Sequence, residues 1–259
     1  MNKLTISIVV VVLNDYLGLK KTLASIDTQV YRYLEVVVVD GLSIDGTVDV
    51  IRDNRDIIDK YISEKDTGIY NAMNKGIDLC TGEWICFLNA GDIFYSDLIL
   101  SVVVKALNEH LVCVYGGCCF FRNEKEYYAY GGKIYSQNIV TPNHQAMFIR
   151  SDFMRSNKYD ERFIYWADLD FKIKIKTEKI IKLGIPFVKY DTQGVSMDYI
   201  DPRILKNKIR DCKLLYTKGS VNIIGYSELM IKIMLKVIIS NITGRENLFK
   251  ARLFINKFK

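Results

Sequence analysis

The chain predicts an α/β protein built on a doubly wound, mainly parallel sheet, and three features carry that expectation. Continuous β-branched runs at residues 6–13 and 34–39 are of the kind buried on both faces of a parallel sheet. Stretches with helical spacing separate them. Asparagine or aspartate stands at or just past each strand end, at Asn14, Asp40, Asp66 and Asp92. In such sheets ligands bind beyond the carboxyl ends of the strands.

Taken in order, residues 6–13 form the first strand, and Leu17, Leu19, Leu23 and Ile26 space the helix that follows. Residues 34–39 form the second strand and 48–58 a helix. Tyr61 and Ile62 form a short strand, residues 69–79 a helix and 84–88 a further strand. Strand, helix, strand at this spacing implies right-handed crossovers. Residues 112–130 read as a hairpin with a polar turn at 122–126, residues 147–150 as a strand and 171–182 as a helix. From about Ile204 the pattern is helical, with breaks at Lys218–Gly219 and near Gly244. The expected organisation is one main domain over residues 1–200 followed by a helical tail over 201–259.

Composition narrows the class. At 259 residues the chain is long enough to bury a full core. With 49% hydrophobic and 25% charged residues it is neither disordered nor an integral membrane protein by composition. The formal charge of +6 is unevenly placed: residues 201–259 carry 13 Lys or Arg against 4 Asp or Glu, whereas the preceding residues carry 23 against 26. Basic character therefore belongs to the C-terminal segment. The six cysteines show no C-x-x-C spacing, and most lie inside apolar runs. They read as buried free thiols in a reducing compartment rather than zinc ligands or disulfides. Asn14 and Asp15 interrupt the first apolar run, which is too short for a membrane span and lacks a cleavage site. A cytoplasmic catalytic part is the expectation.

The residues that carry chemistry fall in six blocks. Residues 87–94, FLNAGDIF, leave Asp92 just beyond a buried strand, where an α/β enzyme places a metal ligand and where Asn, Gly and Asp also make ordinary turns. Upstream lie SIVVVVLND, VVVVDGLSIDGT and SEKDTGIYNAMNKGI. Downstream lie NHQAMF, starting at Asn143, and YWADLDF, starting at Tyr165. No G-x-G-x-x-G follows the first strand and no Walker A sequence appears, which argues against nicotinamide and P-loop chemistry.

In these blocks and their order, from about Thr5 to Ser196, the chain resembles glycosyltransferase family 2, most of all the branch that builds bacterial surface polysaccharides. The resemblance implies a GT-A fold, a Rossmann-like mixed but mainly parallel sheet flanked by helices. It also implies inverting transfer of a sugar from a nucleotide-sugar donor to a hydroxyl of a glycan or lipid-linked acceptor. Asp92 matches the family's metal motif, so Mg²⁺ or Mn²⁺ on the donor diphosphate is expected, hard cations that favour carboxylate and phosphate oxygen. The motif departs from the family at Gly91, where members often have a second Asp, and at Asn89, where they begin with Asp. His144 is the candidate second metal ligand, or else a phosphate hydrogen-bond partner.

Asp40 matches the position that grips the nucleoside, with Asp45 more suited to capping the following helix. Asp66 lies in an analogous loop, where Asp-Thr-Gly is equally a helix-start sequence. Asn14 joins this nucleotide-binding set. The resemblance turns Asn74 and Lys75 toward the donor, although a lysine near a helix end also complements the helix dipole. Asp168 matches the catalytic Asp, the general base that takes the acceptor proton, while Asp170 reads as the cap of the helix after it. A degenerate, non-catalytic nucleotide-sugar-binding subunit of a membrane-bound assembly is the alternative, motivated by the missing motif carboxylate.

In the tail, Glu228, Lys232, Lys236 and Ser240 recur every four residues, and everything between them is apolar. At about 13 residues this stretch is too short to span a bilayer, which needs about 20. It suits peripheral contact with the inner face of the plasma membrane, or packing on the catalytic domain or across a homodimer. Nucleic acid is not an expected partner, because Leu, Ile and Met stand where stacking aromatics would be needed.

Overall fold

The computed structural model describes residues 4–122, 125–130, 143–191 and 201–257. Its first half alternates β1 (Ile6–Val12), α1 (Tyr16–Asp27), β2 (Leu34–Asp40), α2 (Thr47–Asp53), β3 (Lys60–Ser63), α3 (Ile69–Leu79) and β4 (Trp84–Phe87). The second half holds β5 (Ile93–Phe94), α4 (Ile99–Val103), β6 (Cys113–Arg122), β7 (Lys125–Tyr130), a single 3-10 turn (His144–Ala146), β8 (Met147–Arg150), α5 (Ser151–Ser156), α6 (Ala167–Ile175), β9 (Ile180–Asp191), α7 (Pro202–Thr217) and α8 (Ile223–Lys257).

One sheet gathers the nine strands in the order β3-β2-β1-β4-β8-β6-β9-β5, with β7 beside β6. The parallel half is β3-β2-β1-β4, and β8 enters antiparallel between β4 and β6. The fold is therefore an α/β fold with a mixed sheet flanked by helices, as the sequence predicts. Register explains the site: Val12 lies opposite Asp40 and Asp40 opposite Ser63, so β1, β2 and β3 deliver their exit loops to one edge.

Strand side chains alternate between two cores. Ile8, Val10, Val36 and Val38 meet Leu19, Leu23, Val50 and Ile51 from α1 and α2. Val9, Val37 and Phe87 meet Met73, Ile77, Phe163 and Phe171 on the other face. Burying each such side chain is worth about 1.5–3 kcal/mol. Cys212, Leu215, Leu229 and Ile233 of the C-terminal helices join this second core. Gly76 lets α3 lie directly on β1, since a Cβ there would come within 2.4 Å of Val9 Cγ1.

The lower edge of the sheet is closed by a buried carboxylate. Glu35 accepts from Ser7 Oγ (2.5 Å), Lys60 Nζ (2.7 Å) and the Thr81 amide (2.7 Å) and hydroxyl (2.6 Å). Burial would raise its carboxyl, but these donors hold it down at about 2.

Several elements differ from the sequence expectations. The helix expected over 48–58 stops at Asp53, where Asn54 turns its side chain back onto the Val50 carbonyl (2.8 Å). The helix expected over 171–182 starts earlier, at Ala167, and ends by Ile175, because Ile180 is drawn into β9 opposite Cys113. Asp170 is consequently not its cap but lies within the first turn. Helix α8 runs through Gly244 without the expected break, since a helical glycine costs only about 1 kcal/mol. The hairpin and the turn near 218 occur where expected. All six cysteines are buried and unpaired, and no helix among the described residues is long and apolar enough to cross a membrane.

Candidate active site

The exit loops of β1, β2 and β3 form one side of the site. Asn14 adopts φ 51°, and its side-chain oxygen accepts from the Ile44 amide (2.9 Å) while its own amide donates to Ser43 Oγ (2.7 Å). Asp40 does not project from this rim as expected. It is fully buried, because its carboxylate collects the Ser43 amide and hydroxyl and the Ser63 hydroxyl (2.6 Å). Gly41 permits the loops to close, as a Cβ there would meet Asp66 Oδ2 at 2.8 Å and Leu13 at 3.2 Å. Asp45 lies one residue before the Gly46 N-cap of α2 and accepts from the Thr47 amide and hydroxyl and from the Tyr16 amide.

Lys75 and Asp66 come together as a pair. Lys75 Nζ lies 3.0 Å from Asp66 Oδ1 and 2.8 Å from Glu64 Oε1. Desolvation would lower the lysine, but the two carboxylates raise it above its ordinary value. Asn74 is turned away from this rim. It is buried, with its oxygen accepting from the Tyr159 amide (3.0 Å) and its amide donating to the Tyr159 carbonyl (2.9 Å) and Glu161 (2.8 Å). These bonds tie α3 to the loop before α6, a structural use that the spacing of Asn-Lys-Gly does not reveal.

The other side of the site is organised by the NHQ turn. His144 Nδ1 lies 3.7 Å from Asp168 Oδ2, and its Nε2 lies 3.4 Å from Asn89 Nδ2. Gln145, not His144, reaches Asp92, donating from Nε2 to Oδ2 at 3.0 Å. Asp92 is buried, and its backbone carbonyl accepts from Thr22 (2.8 Å). One three-residue turn thus contacts both the metal-motif carboxylate and the candidate base.

Asp168 stands in the first turn of α6, where the helix dipole favours an anion. Its Oδ2 pairs with Lys172 Nζ at 2.6 Å, one helical turn on, and its Oδ1 accepts from Tyr70 Oη at 3.3 Å. Burial alone would raise the Asp168 carboxyl, but Lys172 and His144 hold it well below the ordinary carboxylate range. Burial, and then the same carboxylate, push the Tyr70 phenol well above its usual value. Sequence reasoning missed Lys172, Tyr70 and Gln145. The i, i+4 spacing of Asp168 and Lys172 was readable once the helix start is placed at Ala167.

Among the described residues, no group of three or more His, Cys, Asp and Glu side chains is arranged to hold a metal. The types of oxygen that Asp92, Asn89 and Gln145 carry nevertheless suit a hard cation. Asn89 Oδ1 and Gln145 Oε1 are buried without hydrogen-bond partners, and amide and carboxylate oxygens are the ligand types that Mg²⁺ and similar ions take. Such ions need only one or two protein carboxylates when substrate phosphates supply the rest.

The family described as glycosyl transferase family 2 matches residues 7–168, the stretch from β1 to Asp168. A PGL/p-HBAD biosynthesis glycosyltransferase of Mycobacterium tuberculosis is 34% identical over 180 residues, covering 65% of this chain and 68% of that protein. An amylovoran biosynthesis glycosyltransferase of Erwinia amylovora is 27% identical over 216 residues, covering 73% and 67%. Among solved structures, the mannosyltransferase PcManGT of Pyrobaculum calidifontis, in complex with GDP-Man and Mn²⁺, superposes with a TM-score of 0.63. It is 15% identical and is covered over 92% of this chain and 71% of its own. S. aureus TarS in complex with UDP-GlcNAc gives 0.61 at 14% identity, over 89% and 71%. With more than half its length matched, and with the strand order and the Asp92–NHQ–Asp168 arrangement in place, the chain belongs to glycosyl transferase family 2 and is a glycosyltransferase of the GT-A fold.

Proposed function

We propose that the protein is an inverting, metal-dependent glycosyltransferase that moves a sugar from a nucleotide sugar to a hydroxyl of a glycan or lipid-linked acceptor in bacterial surface polysaccharide synthesis. The observation that carries this reading is the NHQ turn, which contacts Asp168 through His144 and Asp92 through Gln145. A candidate base and a candidate metal ligand thereby meet at one turn. Neighbours of the fold with GDP-Man and Mn²⁺ or with UDP-GlcNAc support the donor class, and relatives named for PGL/p-HBAD and amylovoran biosynthesis support a biosynthetic role.

Asp92, with the unpartnered oxygens of Asn89 and Gln145, is the set that would hold Mg²⁺ or Mn²⁺. Bound there, the cation would act as a Lewis acid that offsets charge on the leaving diphosphate. Asp168 accepts the acceptor hydroxyl's proton as the oxygen attacks the anomeric carbon. Lys172 and His144 keep the carboxylate ionised and aimed until then. On the other side, Asp40 holds Ser43 and Asn14 in place to shape the nucleoside pocket, and the Asp66–Lys75 pair closes its edge.

The tail supports contact with the inner face of the plasma membrane. On α8, Leu229 and Ile233 pack inward, while Ile223, Ile224, Ile231, Met234, Leu235 and Ile238 stand outward, each more than half exposed. Lys232 flanks this apolar face, in a segment whose basic excess suits anionic headgroups.

Nucleotide release from a panel that includes UDP-GlcNAc and GDP-Man, with Mn²⁺, Mg²⁺ or chelator, tests the reading. Release that needs both one sugar nucleotide and the metal is expected. Binding without release from any donor would favour the non-catalytic subunit, which the substitutions at Asn89 and Gly91 motivate.

A further inference from the structure

Helix α6 begins without a local cap: Trp166 occupies the N-cap position and makes no side-chain bond to the first turn. Anchors come instead from the C-terminal helices. Asp211 of α7 is fully buried, and its Oδ2 accepts from the amides of Ile164 (3.0 Å) and Tyr165 (2.7 Å), just before the helix. Arg210 donates to the Arg162 carbonyl at 2.7 Å. On the far side of Asp168, the buried Asp170 accepts from Lys218 Nζ (2.7 Å) and Ser220 Oγ (2.5 Å), at the turn between α7 and α8. Lys218 also reaches Asp160 (2.8 Å) and lies 5.5 Å from the Phe163 ring centre.

We infer that Asp211, with Lys218 and Ser220, positions the segment 164–170 and so aims Asp168 at the acceptor, making the C-terminal helices part of the transfer machinery. These anchors lie beyond the family match, which ends at residue 168. A buried carboxylate costs stability unless it is fully bonded, and Asp211 spends its Oδ2 on the two amides that lead into the base. Asp170, itself in the segment, is held from the opposite direction by the Lys218 and Ser220 side chains, and the two sets of bonds flank Asp168. The inference rests on the reading of Asp168 as base.

The test compares Asp211→Ala, Asp211→Asn and Lys218→Met, with circular dichroism to confirm folding. Turnover is measured beside the affinity for UDP or GDP, whichever the unaltered protein binds. Misplacing a catalytic group by about 1 Å costs up to about 100-fold, so Asp211→Ala should lower kcat by about 10- to 100-fold. Nucleotide affinity should stay within about threefold. Asp211→Asn should recover most of the turnover, because its amide oxygen accepts the same two N–H groups. Lys218→Met should show a smaller fall with the same split. If Asp211→Ala does not fold, Lys218→Met alone is judged by that split. Turnover and affinity falling together, or turnover untouched in both Asp211→Ala and Lys218→Met, would overturn the inference. Asp168→Asn run alongside separates the two claims: an active Asp168→Asn removes the base reading itself, whereas a dead one beside active anchor variants removes only the positioning role.

Discussion

The two sides of the site treat their polar groups differently. On the β1–β3 side, Asp40 is fully buried and bonded to Ser43 and Ser63, Asn14 is bonded to Ser43 and Ile44, and Asp66 is bonded to Lys75. On the β4–α6 side, Asn89 Oδ1 and Gln145 Oε1 are buried with no partner. An unpartnered buried polar atom costs about 1–3 kcal/mol, a cost that a bound cation would offset at Asn89 and Gln145 on the proposed reading. On the proposed reading the satisfied side is the nucleotide receptacle and the unsatisfied side holds the metal and the base.

The sharpest break of this contrast is at Asp92. Asp92→Asn removes the charge with little change in volume, and should lower turnover on the order of 10³-fold, since a Lewis acid contributes several kcal/mol. Full activity at saturating Mg²⁺ or Mn²⁺ would place the metal elsewhere.

Glu35 sharpens the comparison from outside the site, because its carboxylate is bonded to Ser7, Lys60 and Thr81. Its folded pKa of about 2 lies below the ordinary 4.5, so its contribution is complete above pH 4.5 and is lost as pH falls through 2. Glu35→Gln should therefore lower the unfolding free energy near pH 7 and flatten its acid dependence, with nucleotide affinity unchanged. An unaltered acid unfolding profile would contradict this.

A smaller effect is expected at the tail. Lys232→Glu with Lys236→Glu should weaken binding to anionic phosphatidylserine vesicles by about 1 kcal/mol per residue, while transfer to a short soluble acceptor survives. A dimer that dissociates in the double variant would show α8 to be a subunit interface instead.

Much of this was legible in the sequence because the informative patterns are local. The runs at β1 and β2 and the α3 periodicity declare themselves within a dozen residues. Strands β5 and β9 do not, because Ile93 and Ile180 become strand only by pairing with Lys189 and Cys113. Asp92, His144 and Asp168 could be picked out from their blocks, yet their partners could not. That Gln145 reaches Asp92 depends on a turn 53 residues downstream. Asp40 was identified by its place at a strand end, but its complete burial follows from Ser43 and Ser63 closing over it. Asn74 was misplaced because helix spacing fixes a face and not the neighbour, here the Tyr159 backbone.

The most direct test of the division between receptacle and chemistry is one titration with one rate, made on Asp168→Asn and Asp40→Asn together. The account predicts that Asp168→Asn loses about 100-fold or more in kcat with donor affinity nearly retained. Asp40→Asn should weaken nucleoside diphosphate binding about tenfold with kcat at saturating donor little changed. An Asp40 variant that binds normally but does not turn over, beside an Asp168 variant that turns over but binds poorly, would contradict it.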